Sequence, residues 1–188
     1  MDTHQRLVTL LAERSARRGH FVLSSGRTST LYIDARLTTM HPEGLALIGA
    51  LGLAALDRDF PAGSPDAIGG LTLGADPIAY AIAYASAATA RPRRAFTVRK
   101  EAKAHGTGRQ VEGPFQAGDR VVVVEDVITT GGSALKAVEV LRAQGADILG
   151  VLALVDREEG GREALEAAGL HVVSLVRAAE ILPLLPAA

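Results

Sequence analysis

The stretch VVVVEDVITTGGSALKAV, Val121 to Val138, runs four valines into two acids and then into a Thr-Thr-Gly-Gly-Ser turn. A strand made only of apolar residues is typical of a parallel sheet that is covered on both faces. The residues after the turn carry apolar side chains at helical spacing and predict a helix over 131–144. We therefore predict a strand over 120–125 that ends at the two acids, within an α/β fold.

Outside this stretch, strand-like and helix-like segments alternate along the chain, as in a parallel α/β sheet. A second apolar strand, 148–156, ends in Asp156 and Arg157, so both strands place charged residues at the edge where such sheets bind ligands. Further strands are predicted at 20–25, 30–36, 66–70, 94–99 and 171–176, and helices at 3–18, 42–58, 75–90, 160–168 and the C-terminus. Residues 101–119 show neither period, and a stretch of that length inside one domain is usually functional or disordered.

Composition excludes several classes of protein. The 188 residues are 48% hydrophobic and 22% charged with a net charge of −1, so no global charge excess favours nucleic acid or an anionic membrane. The chain has no cysteine, which excludes disulfides, thiolate metal sites and a cysteine nucleophile. The start of the chain does not resemble a signal peptide, and the most apolar run, Leu45–Leu56, is shorter than the roughly 20 residues that span a bilayer. We expect a soluble protein in the cytoplasm.

The turn after the acids has the chemistry of a phosphate site. A helix N-terminus offers unpaired N–H groups and a partial positive charge, and glycines let the backbone approach a ligand closely. The pattern is neither a Walker P-loop nor a GxGxxG turn, and the turn alone could be a plain strand-to-helix connection. Two carboxylates beside a phosphate would repel it unless ribose hydroxyls or a magnesium ion engage them. Together they indicate a ribose 5-phosphate group lying across the turn.

This segment resembles a family signature. VVVVEDVITTGGSA resembles the phosphoribosyl pyrophosphate (PRPP) signature of the type I phosphoribosyltransferases, and DVITTGG resembles the orotate phosphoribosyltransferases more than the purine or uracil enzymes. The resemblance implies one domain over 1–188, with an N-terminal helix and hood over 1–40 and a core over 41–188. It implies that Glu125 and Asp126 hold the ribose hydroxyls. The turn would bind the 5-phosphate through Val127, Ile128, Thr129, Thr130, Gly131, Gly132 and Ser133.

A second signal is a cluster of basic residues. Six of the thirteen residues from Arg91 to Lys103 are arginine or lysine, which alone would indicate a solvated loop or a weak nucleic-acid patch. RKEAKAHGTG resembles the mobile catalytic loop of orotate phosphoribosyltransferases, expected here at about 100–115. Cations there stabilise the charge of a departing pyrophosphate. The resemblance implies that PRPP or pyrophosphate contacts Arg99, Lys100, Lys103 and His105, some of them in the neighbouring subunit's site. The catalytic set would be Arg99, Lys103, His105 and Asp126.

The third signal concerns the base. FVLSSGRTSTLYIDAR, 21–36, resembles the hood that covers orotate, and Tyr32 and Ile33 fall where the family packs the ring, although they could be core residues of a hairpin. The family's Asp-Arg pair implies that Arg157 meets the orotate carboxylate; a salt bridge with Glu158 or Glu159 is the alternative. The other implied orotate ligands are Ser25, Arg27 and Thr129.

Two positions depart from this family pattern. Some relatives carry a lysine just before the SGR turn and another in the loop after the second strand, where this chain has Ser24 and Gly74. Substrate charge must then be met by fewer side chains, or by Arg27 and backbone N–H groups.

The implied activity is transfer of 5-phosphoribosyl from PRPP to orotate, in pyrimidine (UMP) biosynthesis. Mg²⁺ would be held mainly by PRPP and water, with no direct protein ligand, and the enzyme would be a homodimer that shares loop residues and binds neither nucleic acid nor membrane. The same chemistry on adenine or uracil and a PRPP-sensing regulator are the rival interpretations.

Overall fold

The computed structural model of the chain describes residues 2–22, 28–61, 65–101 and 110–186. Its strands are β1 (Ala16–Val22), β2 (Thr28–Ile33), β3 (Ala67–Leu71), β4 (Arg94–Val98), β5 (Val111–Glu112), β6 (Arg120–Ile128), β7 (Asp147–Asp156) and β8 (Val172–Arg177). Its helices are α1 (Thr3–Arg14), α2 (Arg36–Thr39), α3 (Pro42–Asp59), α4 (Ala75–Ser86), α5 (Gly132–Ala143), α6 (Gly161–Ala167) and α7 (Ala178–Ile181), followed by a 3₁₀ turn at Leu182–Leu184.

Six strands form the central sheet in the order β5-β4-β3-β6-β7-β8. All neighbours are parallel except β5, which pairs with β4 in the antiparallel sense. The predicted α/β fold with a parallel sheet is therefore confirmed. Because the parallel strands all run the same way, their carboxyl ends meet at one edge of the sheet, the edge where such folds bind ligands.

The valine run lies at the centre of this sheet, and its side chains alternate between two hydrophobic cores. Val122 and Val124 pack in the core that contains α3 and α4, while Val121 and Val123 pack in the core that contains α5. All four valines are completely buried. Burial on both faces explains why the strand contains no polar residue before Glu125.

The N-terminal region differs from its prediction. The helix expected over 3–18 ends at Arg14, and the first strand begins at Ala16 rather than at His20. The chain leaves the helix because Ala16, Arg17 and Arg18 pair with β2 in an antiparallel hairpin, which we call the hood hairpin. Ser15, at the end of α1, is buried and its hydroxyl lies 2.7 Å from that of Thr38. These contacts are long-range, so the local helical pattern did not reveal them.

Two short elements were not predicted. The stretch 101–119 was expected to lack structure, but its described part contains β5, which extends the sheet beside β4. The helix α2 follows the hood hairpin directly and was expected to be part of a strand and a loop. In the described ranges, no helix is long and apolar enough to cross a membrane.

Candidate active site

A cleft of about 360 Å³ opens at the carboxyl edge of the sheet. The hood hairpin, the β3–α4 loop, the end of β6 and the start of α5 all contribute to its walls. Its lining residues are Tyr32, Ile33, Asp34, Ala35, Arg36, Leu71, Thr72, Leu73, Gly74, Lys100, Glu125, Asp126, Val127, Thr129, Ser133 and Arg157. Segments more than 120 residues apart in the chain therefore meet around one space.

The acidic pair lies inside β6, since the strand continues to Ile128 instead of ending at residue 125 as predicted. Both carboxylates line the cleft, but they differ in exposure: Glu125 is buried and Asp126 is half-buried. One oxygen of Asp126 accepts a hydrogen bond from the Val127 N–H at 2.8 Å. A hydrogen bond also links the side chains of Glu125 and Asp126.

Burial gives Glu125 an unusual proton affinity. Loss of water around the side chain, followed by the negative charge and the hydrogen bond of Asp126, raises the pKa of Glu125 to about 9. Glu125 is therefore protonated at neutral pH and adds no negative charge to the cleft. This reduces the repulsion between the acids and an anionic ligand, and it leaves Glu125 able to donate a hydrogen bond.

The turn after β6 is shaped by glycine. Gly131 has a φ of +79°, and a Cβ there would lie 3.0 Å from the carbonyl oxygen of Gly161. Gly131 precedes α5, whose N-terminus receives no hydrogen bond from a capping side chain. The N–H groups of the first helical turn thus remain available to an anion. Thr129 and Ser133 line the cleft beside them.

The other members of the predicted phosphate turn lie around these two residues. Ile128 is buried in the core under the turn, and Thr130, Gly131 and Gly132 are not among the residues that line the cleft. The structure thus brings Glu125, Asp126, Val127, Thr129 and Ser133 together and leaves the remaining four at the margin.

The β3–α4 loop is held by an acid that the sequence analysis missed. Asp76 is buried and accepts hydrogen bonds from the hydroxyls of Thr72 at 2.7 Å and of Thr97 at 2.9 Å. The hydroxyl of Thr97 also lies 2.8 Å from that of Tyr80. Asp76 therefore joins the loop that lines the cleft to the end of β4. Only its position beside Pro77 at a helix start could have drawn attention to it in the sequence.

The structure gives a steric reason for the glycine at residue 74. A Cβ at this position would lie 2.3 Å from a carboxylate oxygen of Asp126, which is too close for any side chain. The backbone of the loop thus comes directly against Asp126. A lysine at residue 74 would require the loop or the acid to move.

Arg157 joins the end of β7 to the hood hairpin. Its side chain is 4% exposed and donates hydrogen bonds to the carbonyl oxygen of Leu31 at 2.6 Å, to the Ser29 hydroxyl at 2.6 Å and to Glu159 at 2.7 Å. The salt bridge considered as an alternative is therefore present, with Glu159. Arg157 nevertheless lines the cleft, and its Nε has no hydrogen-bond partner among the described residues.

The two predicted ring-packing residues behave differently. Tyr32 is 42% exposed, lines the cleft and stacks at 5.3 Å on Phe21 of β1. Ile33 also lines the cleft, but it packs against the core at the same time. Tyr32 thus presents an aromatic face to a ligand from a supported position.

The basic residues separate into two groups. Lys100 lines the cleft, whereas Arg99 lies 3.7 Å from Glu112 of β5 and does not line it. Arg36, which was not predicted as a site residue, also lines the cleft. The predicted residues Lys103, His105, Ser25 and Arg27, and the departure at Ser24, lie outside the described residues.

The oxygen atoms in the cleft suit the binding of a hard cation only in part. Two neighbouring carboxylates supply oxygen atoms of the kind that Mg²⁺ prefers. Within the part of the chain that the structure describes, no group of three or more histidine and acidic side chains could hold a metal ion.

Comparison with known proteins identifies the family of the chain. Residues 41–168 match the phosphoribosyl transferase domain family. An orotate phosphoribosyltransferase of Aquifex aeolicus (strain VF5) is 49% identical over 185 residues, which are 97% of this chain and 99% of that protein.

Solved structures agree. The orotate phosphoribosyltransferase of Mycobacterium tuberculosis H37Rv in complex with Fe(III) dicitrate is 44% identical with a TM-score of 0.82, over 96% of this chain and 99% of that one. In its complex with PRPP, the same enzyme superposes with a TM-score of 0.79 at 40% identity, again over 96% and 99% of the two chains. The chain therefore belongs to the phosphoribosyl transferase family, among its orotate phosphoribosyltransferases.

Proposed function

We propose that this chain transfers the 5-phosphoribosyl group of PRPP to orotate, giving orotidine 5′-monophosphate and pyrophosphate, a step of pyrimidine biosynthesis. The observation that carries the proposal is one cleft that holds an acidic pair, an uncapped helix N-terminus and a buried arginine under the hood hairpin. These groups match a sugar diol, a phosphate and a carboxylate. Relatives of this name cover nearly the whole chain.

The ribose phosphate would lie along β6 and α5. Asp126, which lines the cleft, would accept a hydrogen bond from a ribose hydroxyl, and protonated Glu125 would share its proton within the pair. The 5-phosphate lies at the N-terminus of α5, where Thr129 and Ser133 add hydroxyl donors to the backbone N–H groups. A phosphate there meets the positive end of the helix dipole.

Orotate would lie between Tyr32 and Arg157. Arg157 lines the cleft and would meet the orotate carboxylate there, while its Nη2 holds the hood hairpin and Glu159. An arginine at this point favours orotate over uracil, which has no carboxylate, because the guanidinium would otherwise stay incompletely hydrogen-bonded. The ring would stack on Tyr32. Ser25, Arg27 and Thr129 complete the proposed orotate site.

The proposed chemistry is a displacement at C1 of the ribose. The N1 electron pair of orotate forms the new C1–N1 bond as the C1–O bond breaks, and the pyrophosphate departs with that electron pair. The transition state has oxocarbenium character, so charge stabilisation and alignment supply most of the rate. Lys100 in this cleft, with Arg99, Lys103 and His105, would stabilise the leaving group.

Mg²⁺ is part of the proposal, bound mainly by the diphosphate and ribose oxygens of PRPP and by water. Asp126 is the half-buried carboxylate that would face this hydrated ion. The ion supplies neutralisation of the diphosphate charge, which the basic side chains of the cleft alone do not match.

A homodimer is the proposed assembly. Leu37, Met40 and Leu73 are largely exposed and surround a shallow depression beside the cleft, which a second copy of the chain would cover. Arg99 points away from its own cleft toward Glu112, as a residue that serves a neighbouring site would. If loop residues are shared, mixing subunits that carry Lys103→Ala with subunits that carry Asp126→Asn should restore activity in hybrid sites. No recovery despite subunit exchange would contradict the sharing.

One assay tests the activity. Pyrophosphate formation from PRPP should require orotate and Mg²⁺, and uracil or adenine should not replace orotate. Preference for adenine would overturn the substrate, and PRPP binding without turnover would favour the regulatory alternative. A cytoplasmic location belongs to the same proposal, and a chain without cysteine is compatible with it. Cell fractionation would test it.

A further inference from the structure

The cleft contains a cation that the sequence analysis did not assign, Arg36 at the start of α2. We propose that Arg36 binds the diphosphate group of PRPP and of the released pyrophosphate. This inference rests on the proposed function and adds a residue to its leaving-group site.

Arg36 has a defined position in the cleft. Its Nε and Nη2 donate hydrogen bonds to the two oxygens of Asp34 at 2.8 and 2.9 Å, so the guanidinium is held edge-on by the end of the hood hairpin. The side chain is 51% exposed and lies between the cleft and the depression formed with Leu73. A charge held in this way needs little reorganisation when a ligand arrives.

The neighbours of Arg36 place it near the reacting sugar. The pKa of Arg36 is raised, first by its hydrogen bonds with Asp34 and then by the charges of Asp34, Tyr32 and Asp126. Asp126 in turn lies against the backbone of Gly74 in the β3–α4 loop. Arg36 therefore faces the point where the proposed ribose site meets this loop, which is where the group on C1 of the ribose would extend.

The donors of Arg36 are not exhausted by Asp34. A guanidinium has five N–H groups, and Asp34 occupies one edge of it. Among the described residues, Nη1 makes no hydrogen bond. This free edge has the spacing that matches two oxygens of a phosphate group.

The distribution of charge around the cleft supports binding of a diphosphate at this free edge. Three basic side chains line it among the described residues: Arg36, Lys100 and Arg157. Arg157 is committed to Glu159 and the hood hairpin, and residues 71–74 of the β3–α4 loop carry no charge. A diphosphate beside an acidic pair needs cations, and Arg36 lines the same cleft as Asp126 with its orientation fixed by Asp34.

The competing explanation is that the Arg36–Asp34 pair only stabilises the end of the hood hairpin. An exposed ion pair of this kind contributes little to stability. Such a role would affect all ligands of the cleft alike, whereas a diphosphate contact affects only ligands that carry a diphosphate. Orotidine 5′-monophosphate separates the two explanations, because it shares the ribose phosphate and the base with the reactants but has no diphosphate.

Titration calorimetry with Arg36→Gln tests the inference. We expect PRPP and pyrophosphate, each with Mg²⁺, to bind at least tenfold more weakly than to the unmodified chain, and orotidine 5′-monophosphate to bind within about twofold. Arg36→Lys should recover part of the loss, since it keeps the charge but not the fork. Equal losses for all three ligands, or no loss for PRPP and pyrophosphate, would overturn the inference.

Arg58→Gln is the matched control. Arg58 forms the same edge-on pair with Asp59, at 2.9 and 2.6 Å, but it lies at the end of α3 and does not line the cleft. Its loss removes the same charge and should leave all three affinities unchanged; a drop in PRPP affinity equal to that of Arg36→Gln would overturn the inference. If the unmodified chain binds neither PRPP nor orotidine 5′-monophosphate, the proposed function fails and the inference fails with it. Normal binding with an insensitive Arg36 variant removes the inference alone.

Discussion

The cleft has two proposed halves, one for the ribose phosphate and one for orotate, and they are built in different ways. The ribose-phosphate half comes from one continuous segment, in which β6, the glycine turn and α5 follow each other between Arg120 and Ala143. The orotate half is assembled by side chains from distant segments, since Arg157 bonds to Leu31 and Ser29 more than 120 residues away. A motif can therefore identify the first half, but the second half depends on the folded chain.

The comparison predicts where a single substitution does the most damage. Replacing Arg157 by alanine should remove the orotate partner and the bonds to the hood hairpin at once. Loss of one partner from a buried charged network costs about 2–5 kcal/mol, so kcat/KM for orotate should fall by roughly 30-fold to several thousand-fold. Steady-state kinetics measures this, with Arg157→Lys as the variant that keeps the charge. An unchanged kcat/KM would show that the orotate half does not depend on this residue.

In the ribose-phosphate half, the raised pKa of Glu125 predicts that the stability of the chain depends on pH. Its pKa of about 9 lies far above the ordinary value of 4.5, so the folded chain keeps a proton that the unfolded chain releases. The free energy of unfolding should therefore fall as pH rises from about 4.5 to about 9, by at most about 1.4 kcal/mol per pH unit. Urea unfolding at pH 6 and pH 8 measures the slope.

The control for this pH dependence is Glu125→Gln, which resembles the protonated carboxyl group and cannot ionise. Its slope over the same pH range should be smaller than that of the unmodified chain. Identical slopes would mean that Glu125 does not hold the proton.

Asp126 should affect ligands rather than stability. Asp126→Asn removes a charged acceptor for a ribose hydroxyl, and a hydrogen bond to a charged group contributes about 1.5–3 kcal/mol. PRPP should bind roughly 10- to 100-fold more weakly in calorimetry. The free energy of unfolding should change little, because the amide oxygen of asparagine can still accept the hydrogen bond from the Val127 N–H. Unchanged PRPP affinity would argue against the ribose role.

Substitution of Asp76 tests whether this buried acid positions the β3–α4 loop. Asp76→Asn weakens the bonds to Thr72 and Thr97, so the free energy of unfolding should fall by about 1–2 kcal/mol and KM for PRPP should rise several-fold. Tyr80→Phe removes only the exposed outer bond of this network and should change both quantities little. Equal effects of the two variants would show that Asp76 does not position the loop.

The smallest expected effect is a difference between two glycine substitutions, one of them at the glycine turn. Gly131→Ala should cost about 1–2 kcal/mol for the left-handed backbone, plus the contact of the new Cβ with Gly161. Gly118→Ala is the matched control, because Gly118 has a φ of +89° with nothing within 4 Å of its Cβ position. The difference between their free energies of unfolding isolates the contact. No difference would mean that the turn is not packed as tightly as its geometry indicates.

The same contrast explains which regions of the structure were predicted correctly from the sequence. The acids, the turn and helix α5 were placed within a few residues, because burial of the valine run and the glycine chemistry act locally. The predicted start of the hood hairpin was wrong, because Ala16 pairs with Ile33 instead of continuing the helix. Asp76 and Arg36 were missed as site residues, since Asp76 acts through its bonds to Thr72 and Thr97 and Arg36 was expected only as the end of a strand.

By itself, the order of residues determined the α/β class, the strand–turn–helix that carries the acids, and the family to which the chain belongs. These follow from local periodicity, from glycine at a positive φ and from chemistry that neighbouring residues supply. Only the tertiary structure decided that Arg157 supports the hood hairpin while it lines the cleft, that Gly74 lies against Asp126, and that burial makes Glu125 retain a proton. The reason is physical: burial, charge proximity and close packing depend on which distant segments meet.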